Sequence, residues 1–199
     1  MAGTVALTFN GSSVALVVRG KRNPAHDPKL MEQHADCILS HGAPVGFFGA
    51  DQPASGGSAS GYWNSIGVNM KGMVADYSVY QRIRPAYVDL LLAKQAGVIS
   101  TVLVVKVSEK EAHLFAEYWH KLGKHPDYFS LLGNNCSTHA SEAFIHAGVV
   151  SRGIPGLDTP NNLYKQLHHL KGRHMRSYSG FLGFLPAHGR GYRVVMAAA

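Results

Sequence analysis

The chain has 199 residues, of which 46% are hydrophobic and 16% charged. That length and balance exclude a disordered chain and fit a single domain over 1–199, able to bury roughly 70% of its unfolded surface. Lysine and arginine outnumber aspartate and glutamate by 19 to 12, a net charge of +7, scattered enough to read first as solubility and second as a preference for anionic polymers.

Residues 5–8 and 14–19 read as strands around an Asn10-Gly11 turn. Residues 35–40 and 45–48 read as two more around His41-Gly42-Ala43-Pro44, with Cys37 a buried small hydrophobe. The stretch 51–71 has little periodicity and contains the Gly/Ser run 56–61, which marks it as a functional loop. Residues 73–80 alternate like a strand, 85–96 form a short helix closed by Gly97, and 100–107 are a β-branched strand. Ser108 with Glu111 makes a capping box for a helix over 109–122, which Gly123 stops. A second helix runs from Cys136 to His146, and a third follows the cap-then-proline signal Thr159-Pro160. The basic run 165–176 reads as a solvated helix end, and the apolar 181–186 as a core segment or the lining of a lipid site. Residues 193–196 are a last strand. Strands early and helices late predict an α+β fold, with an antiparallel sheet packed against helices.

No apolar run approaches the roughly 20 residues that a membrane-spanning helix needs. The opening MAGTVALTFNG has no basic leader, so a secretory signal is not expected and the chain is placed in the cytoplasm of its producer. Two cysteines exclude a disulfide scaffold. Without a zinc-finger, RNP or helix-turn-helix pattern, no nucleic-acid partner is expected.

The chemistry concentrates in YFSLLGNNCSTHASEAFIHAG, residues 128–148. A cysteine that opens a helix holds its sulfur near the free amides of the first turn, which stabilise thiolate. The same amides can receive an oxyanion, with Asn134 and Asn135 as supporting donors. A thiolate enzyme also needs a histidine base. His139 lies on the same helix as Cys136 and points along it, which suits a satisfied surface or supporting residue. His120, His125 and His146 fall at helix ends, and His168 and His169 look solvated. No second Cys/His pair at zinc spacing stands near Cys136 and His139, so neither metal nor cofactor is expected. His34 stands at the mouth of strand 35–40. Centring the hairpin between Gly42 and Ala43 sets His34 opposite Asp51, whose carboxylate would orient the imidazole; Gln52 is the alternative. His41, in the turn, is the rival base.

The order His34, Gly46-Phe47-Phe48-Gly49, a long loop, Asn135-Cys136, Ala147-Gly148-Val149 and Thr159-Pro160-Asn161-Asn162-Leu163-Tyr164 resembles the circularly permuted branch of the NlpC-type papain-like cysteine peptidases. The resemblance covers roughly residues 30–170 and is most specific in the tail from Asn135 onward. It implies a papain-like fold, with Cys136 as nucleophile and His34 as base. It implies a peptidase or amidase of peptidoglycan peptides, with lipid acyl or protein isopeptide bonds, or a non-catalytic module, as alternatives. By analogy with small permuted peptidases of type VI secretion, it also implies delivery into a target cell's periplasm and an immunity protein as partner.

Overall fold

A computed structural model describes residues 3–29, 32–50, 70–130, 133–151, 159–187 and 191–199. Nine strands form one antiparallel sheet: β1 (Thr4–Leu7), β2 (Ser13–Arg19), β3 (His34–Ile38), β4 (Pro44–Gly49), β5 (Met70–Ala75), β6 (Ile99–Lys106), β7 (Tyr128–Phe129), β8 (Met175–Pro186) and β9 (Tyr192–Ala197). Their spatial order is β1-β9-β8-β6-β2-β3-β4-β5-β7. Five helices accompany them among the described residues: α1 (Tyr77–Ile83), α2 (Leu90–Gln95), α3 (Glu109–Lys124), α4 (Cys136–His146) and α5 (Pro160–His168). A 3-10 turn, Pro85–Tyr87, joins α1 to α2. The fold is therefore α+β, with helices on both faces of the sheet.

The strand pleat sorts the core into two halves. Val14, Leu16, Val18, Ala35 and Cys37 face α3, α4 and α5, packing with Phe115, Trp119, Phe144 and Leu167. Ala15, Val17 and Ile38 face the other way, onto Phe48, Tyr80, Leu182 and Phe184. No helix of the described residues is long and apolar enough to cross a membrane.

Several elements depart from the sequence expectation. β1 does not pair with β2 across Asn10-Gly11; it pairs with β9, while β2 lies between β3 and β6. Alternation identifies a strand but not its neighbour. Residues 73–80 are split, because Asp76 ends β5 and caps α1, its Oδ1 accepting from the Val79 amide at 2.9 Å. The helix expected over 85–96 starts only after a second cap, Asp89, whose Oδ1 accepts from Leu92 N at 2.9 Å. Gly123 does not stop α3, which runs through it to Lys124. The tract from Met175 to Pro186 is the long strand β8 rather than a helix end and a separate segment, and Leu182 and Phe184 are buried in it. Its Gly183 lies under α2, where a Cβ would come within 2.7 Å of Leu90 Cβ.

The Ser108 capping box is present in full and is extended by Arg173, whose guanidinium meets Glu111 at 2.6 Å. Ser108→Ala is expected to lower the unfolding free energy by about 1 kcal/mol in urea denaturation; an unchanged midpoint would contradict the capping role. The hydrogen bond from Arg173, with the Ser108 backbone and hydroxyl, holds the Glu111 carboxyl down at about 2 against the ordinary 4.5. A carboxylate with a depressed native pKa stabilises above its unfolded value and loses that contribution as pH falls through the native one. The stability gap between wild type and Arg173→Ala should thus be full above pH 4.5 and close as pH falls through about 2.

Candidate active site

Cys136 is the first residue of α4, and the preceding turn is built to place it there. Gly133 adopts φ +103°, a conformation open mainly to glycine. Asn135 is the N-cap: its Oδ1 accepts from Ser137 N at 2.9 Å and Thr138 N at 3.1 Å. The Asn134 side-chain amide donates to the Tyr128 carbonyl, and the Asn134 backbone carbonyl accepts from Ser130 N at 2.8 Å. Both asparagine side chains thus have positions in the turn that presents Cys136. The sulfur sits at the floor of the site, in a residue 8% exposed, and accepts from the Ala35 amide at 3.4 Å.

His34 opens β3. Its ring lies beside the Cys136 sulfur, close enough for each group's charge to shift the pKa of the other. Its Nε2 pairs with Asp36 Oδ1 at 2.8 Å, so Nδ1 is the ring nitrogen not taken up by that carboxylate. Phe48 stacks on the ring at 4.1 Å between centroids. His34 and Cys136 are 102 positions apart in the chain and adjacent in the fold.

Among the described residues the carboxylate beside His34 is Asp36. Asp51 and Gln52, like the 56–61 run, lie outside the described residues. The hairpin register also differs from the one that set Asp51 opposite His34. Cys37 pairs with Val45 and Ile38 with Pro44, three positions away from a turn centred between Gly42 and Ala43. The connection is longer, closed by Leu39 N to Ala43 O at 2.8 Å and Gly42 N to Leu39 O at 2.8 Å. The ring stacked on His34 is accordingly Phe48. Asp36 was findable from sequence, because residues two apart on a strand share a face and an aspartate inside an apolar strand is rarely without partners.

Asp36 is completely buried. Arg19 Nε donates to its Oδ2 at 2.7 Å, and the Tyr80 hydroxyl donates to Oδ1 at 2.6 Å. Burial alone would raise its pKa, but the charges of His34 and then Arg19 hold it well below the ordinary carboxylate range. Burial would likewise depress His34; the Cys136 and Asp36 charges outweigh it and raise His34 well above an ordinary histidine. Burial pushes the Cys136 thiol up, yet the imidazole's charge and hydrogen bond, with the Ala35 amide, bring it below its ordinary value. Both shifts act in the direction that favours a thiolate beside an imidazolium.

Gly46, the strand partner of Asp36, completes the arrangement. A Cβ there would lie 2.2 Å from the Tyr80 hydroxyl and 2.4 Å from Asp36 Oδ1. The segment before His34 is held from α5. Asn161 N donates to Gln33 Oε1 at 2.9 Å, and Lys21, fully buried, donates to Asn161 Oδ1 at 2.9 Å. This assigns the Thr159-Pro160-Asn161 motif a structural task. Gly20 lets β2 leave past Glu32, whose carbonyl a Cβ would meet at 2.1 Å.

The other histidines stand elsewhere. His139 is not a surface residue: it is 2% exposed, its Nδ1 meets the Tyr118 hydroxyl at 2.7 Å, and its ring packs on Phe47 at 4.0 Å. Its Nε2 is buried without a hydrogen-bond partner among the described residues, so it is not fully satisfied either. His41 is exposed in the hairpin turn, where its carbonyl accepts from Tyr192 N. Among the described residues no group of three His, Cys, Asp or Glu side chains could hold a metal.

Alkylation tests the ion pair. Iodoacetamide should label Cys136 faster at neutral pH than it labels an ordinary thiol, since a depressed thiol pKa keeps thiolate present below pH 9 and a raised His34 pKa keeps imidazolium present above pH 6.5. In His34→Ala the rate at neutral pH should fall by roughly tenfold or more and rise with pH like that of an ordinary thiol. Gly46→Ala should shift the profile in the same sense by displacing Asp36; profiles superimposable on wild type for both variants would remove His34 and Asp36 from control of the sulfur.

Comparison with known proteins found no matching family model, no matching curated protein and no matching solved structure.

Proposed function

We propose that the chain is a cysteine hydrolase of amide bonds, with Cys136 as nucleophile, His34 as general acid and base, and Asp36 as the group that orients His34. One observation carries this reading: a single imidazole hydrogen-bonded to a buried carboxylate and set beside the sulfur of the first residue of a helix. The thiolate attacks the carbonyl carbon and forms a C–S bond. The oxyanion is received by the Cys136 N–H at the start of α4, where the helix dipole favours negative charge. The C–N bond then breaks, and the departing nitrogen takes the proton of imidazolium His34. Neutral His34 next removes a proton from water; the hydroxide attacks the thioester, and the carboxylic acid and thiolate are released.

Support for peptidoglycan peptides as substrate comes from the NlpC-type resemblance and from the net charge of +7, which suits an anionic wall polymer. The same resemblance supports action in a target cell's periplasm. A lipid substrate is less favoured, because the apolar residues Leu182 and Phe184 belong to the core of β8. Purified wall fragments should yield new amino and carboxyl termini by mass spectrometry with wild-type protein and none with Cys136→Ala. Release from acyl lipids alone would overturn the amide reading, and identical products from both proteins would overturn the role of Cys136.

A further inference from the structure

Two donors converge on one carboxylate oxygen. Asp36 Oδ1 takes His34 Nε2 at 2.8 Å and the Tyr80 hydroxyl at 2.6 Å, while Arg19 Nε holds Oδ2 at 2.7 Å. Orientation of His34 requires only its own bond, on a carboxylate that does not turn. Arg19 already stops it turning, because its other two nitrogens are fixed on the Tyr87 carbonyl at 3.0 Å and the Ser100 hydroxyl at 3.3 Å. The Tyr80 bond is therefore left with a different task. Its geometry is closely set. Tyr80 is fully buried in α1, whose start the Asp76 cap fixes. Its ring meets Phe48 edge-on, 5.7 Å between centroids. Its hydroxyl fills the space that Gly46 leaves, 2.2 Å from where a Cβ would stand.

Hydrolysis makes opposite demands on His34. Expulsion of the amine needs imidazolium, and attack of water on the thioester needs the neutral ring. A buried carboxylate beside the ring favours imidazolium. The charged and titratable groups that face His34 are Asp36 on its own strand, Arg19 opposite it on β2, Cys136 at the start of α4, Tyr80 on α1 by way of Asp36, and Tyr87 in the 3-10 turn, with Arg84 over the Phe48 ring that stacks on the imidazole. Among the described residues that donate to Asp36, Tyr80 is the one that never carries a positive charge. Burial and the Asp36 charge push its phenol well above the ordinary tyrosine range, so it keeps its proton and remains a donor. A donor on Oδ1 offsets part of the carboxylate's charge, and less of that charge then acts on the imidazolium.

We propose that Tyr80 is a positioning residue for hydrolysis: by sharing Asp36 Oδ1 with His34 Nε2 it weakens the carboxylate's hold on imidazolium, so that His34 gives its proton to the amine and stays neutral until it takes one from water. Tyr80 itself exchanges no proton in either half of the reaction. The proposal rests on the cysteine-hydrolase reading, and its test separates the failure of one from the failure of the other.

p-Nitrophenyl acetate separates the two halves. Acetylation of the Cys136 sulfur releases nitrophenolate in a burst. Water then attacks the thioester carbonyl, its proton passes to His34, and acetate leaves as the sulfur is restored; this step sets the steady phase. The steady rate should rise with pH as His34 of the acetylated protein loses its proton. In Tyr80→Phe the burst should persist and the midpoint of the rise should lie higher, so that below it the steady rate is about three- to tenfold slower than in wild type. Replacement of Tyr80 by para-aminophenylalanine, which keeps the shape of the side chain with a weaker donor, should raise the midpoint in the same sense and decides the matter if Tyr80→Phe proves poorly folded. A merely structural role would loosen Asp36 and lower the midpoint, because His34 would lose its carboxylate. A midpoint unmoved or lowered overturns the proposal. Absence of a burst in wild type overturns the hydrolase reading instead. The titration of His34, followed by NMR of isotope-labelled histidine and assigned by the signal lost in His34→Ala, then decides on Tyr80: a higher midpoint in the two variants supports it, and an unmoved or lower one overturns it.

Discussion

A buried carboxylate organises this molecule. Asp36 sits in the middle of the sheet with no solvent contact, and an unpaired charge there would cost several kcal/mol or would be lost to protonation. Three donors prevent that. Arg19 holds one oxygen, while Tyr80 and His34 share the other. Each donor comes from a different element (β2, α1 and the first residue of β3), so satisfying one charge draws three parts of the chain together. The reactive histidine gains its orientation from the same bonds that make the buried aspartate tolerable.

The two halves of the reactive pair come from opposite sides of the sheet. His34 and Asp36 share one face with Phe48 and Tyr80. Cys136 belongs to the helical layer on the other face and packs with Ala35 and Cys37. They meet because His34 is the first residue of its strand, where the sheet ends and a side chain can reach around the edge. The Ala35 amide donates to the sulfur from that strand end and favours its ionised form. Backbone and side chain of two consecutive residues thus serve the same atom.

The supporting shell is built by glycines and polar clamps more than by hydrophobic bulk. Gly46 leaves room for the Tyr80 hydroxyl to reach Asp36, and Gly20 leaves room for the returning chain at Glu32. The chain between β2 and β3 is polar at most of its described residues. It is fastened instead by Lys21, Asn161 and Gln33, and by Asn161 Nδ2 to Asp27 Oδ1 at 2.8 Å. Burial lowers the Lys21 pKa, partly offset by Asp27, and its ammonium also lies 4.7 Å from the Tyr164 ring centre. The start of α5 therefore bears on the site indirectly, by holding the segment that leads into His34.

Local chemistry was legible along the chain at several caps whose signal and partner lie within one turn, although the Asp76 and Asp89 caps were not read and Gly123 does not end α3. The Ser108-Glu111 box, the Thr159-Pro160 start and the opening of α4 at Cys136 all depend on residues at most a few positions apart, and all are found where the sequence puts them. Asp36 was legible by the same logic, two residues from His34 on one strand face. Looking across the hairpin led to Asp51, because register depends on the length of the connection, and residues 39–43 form a longer one than a two-residue turn. The neighbours of β1, the strand nature of β8 and the adjacency of His34 to Cys136 were decided only in three dimensions. A strand's alternation states which residues face the core and nothing about which strand lies beside it. Contacts across a hundred residues are chosen by which buried surfaces and charges complete one another.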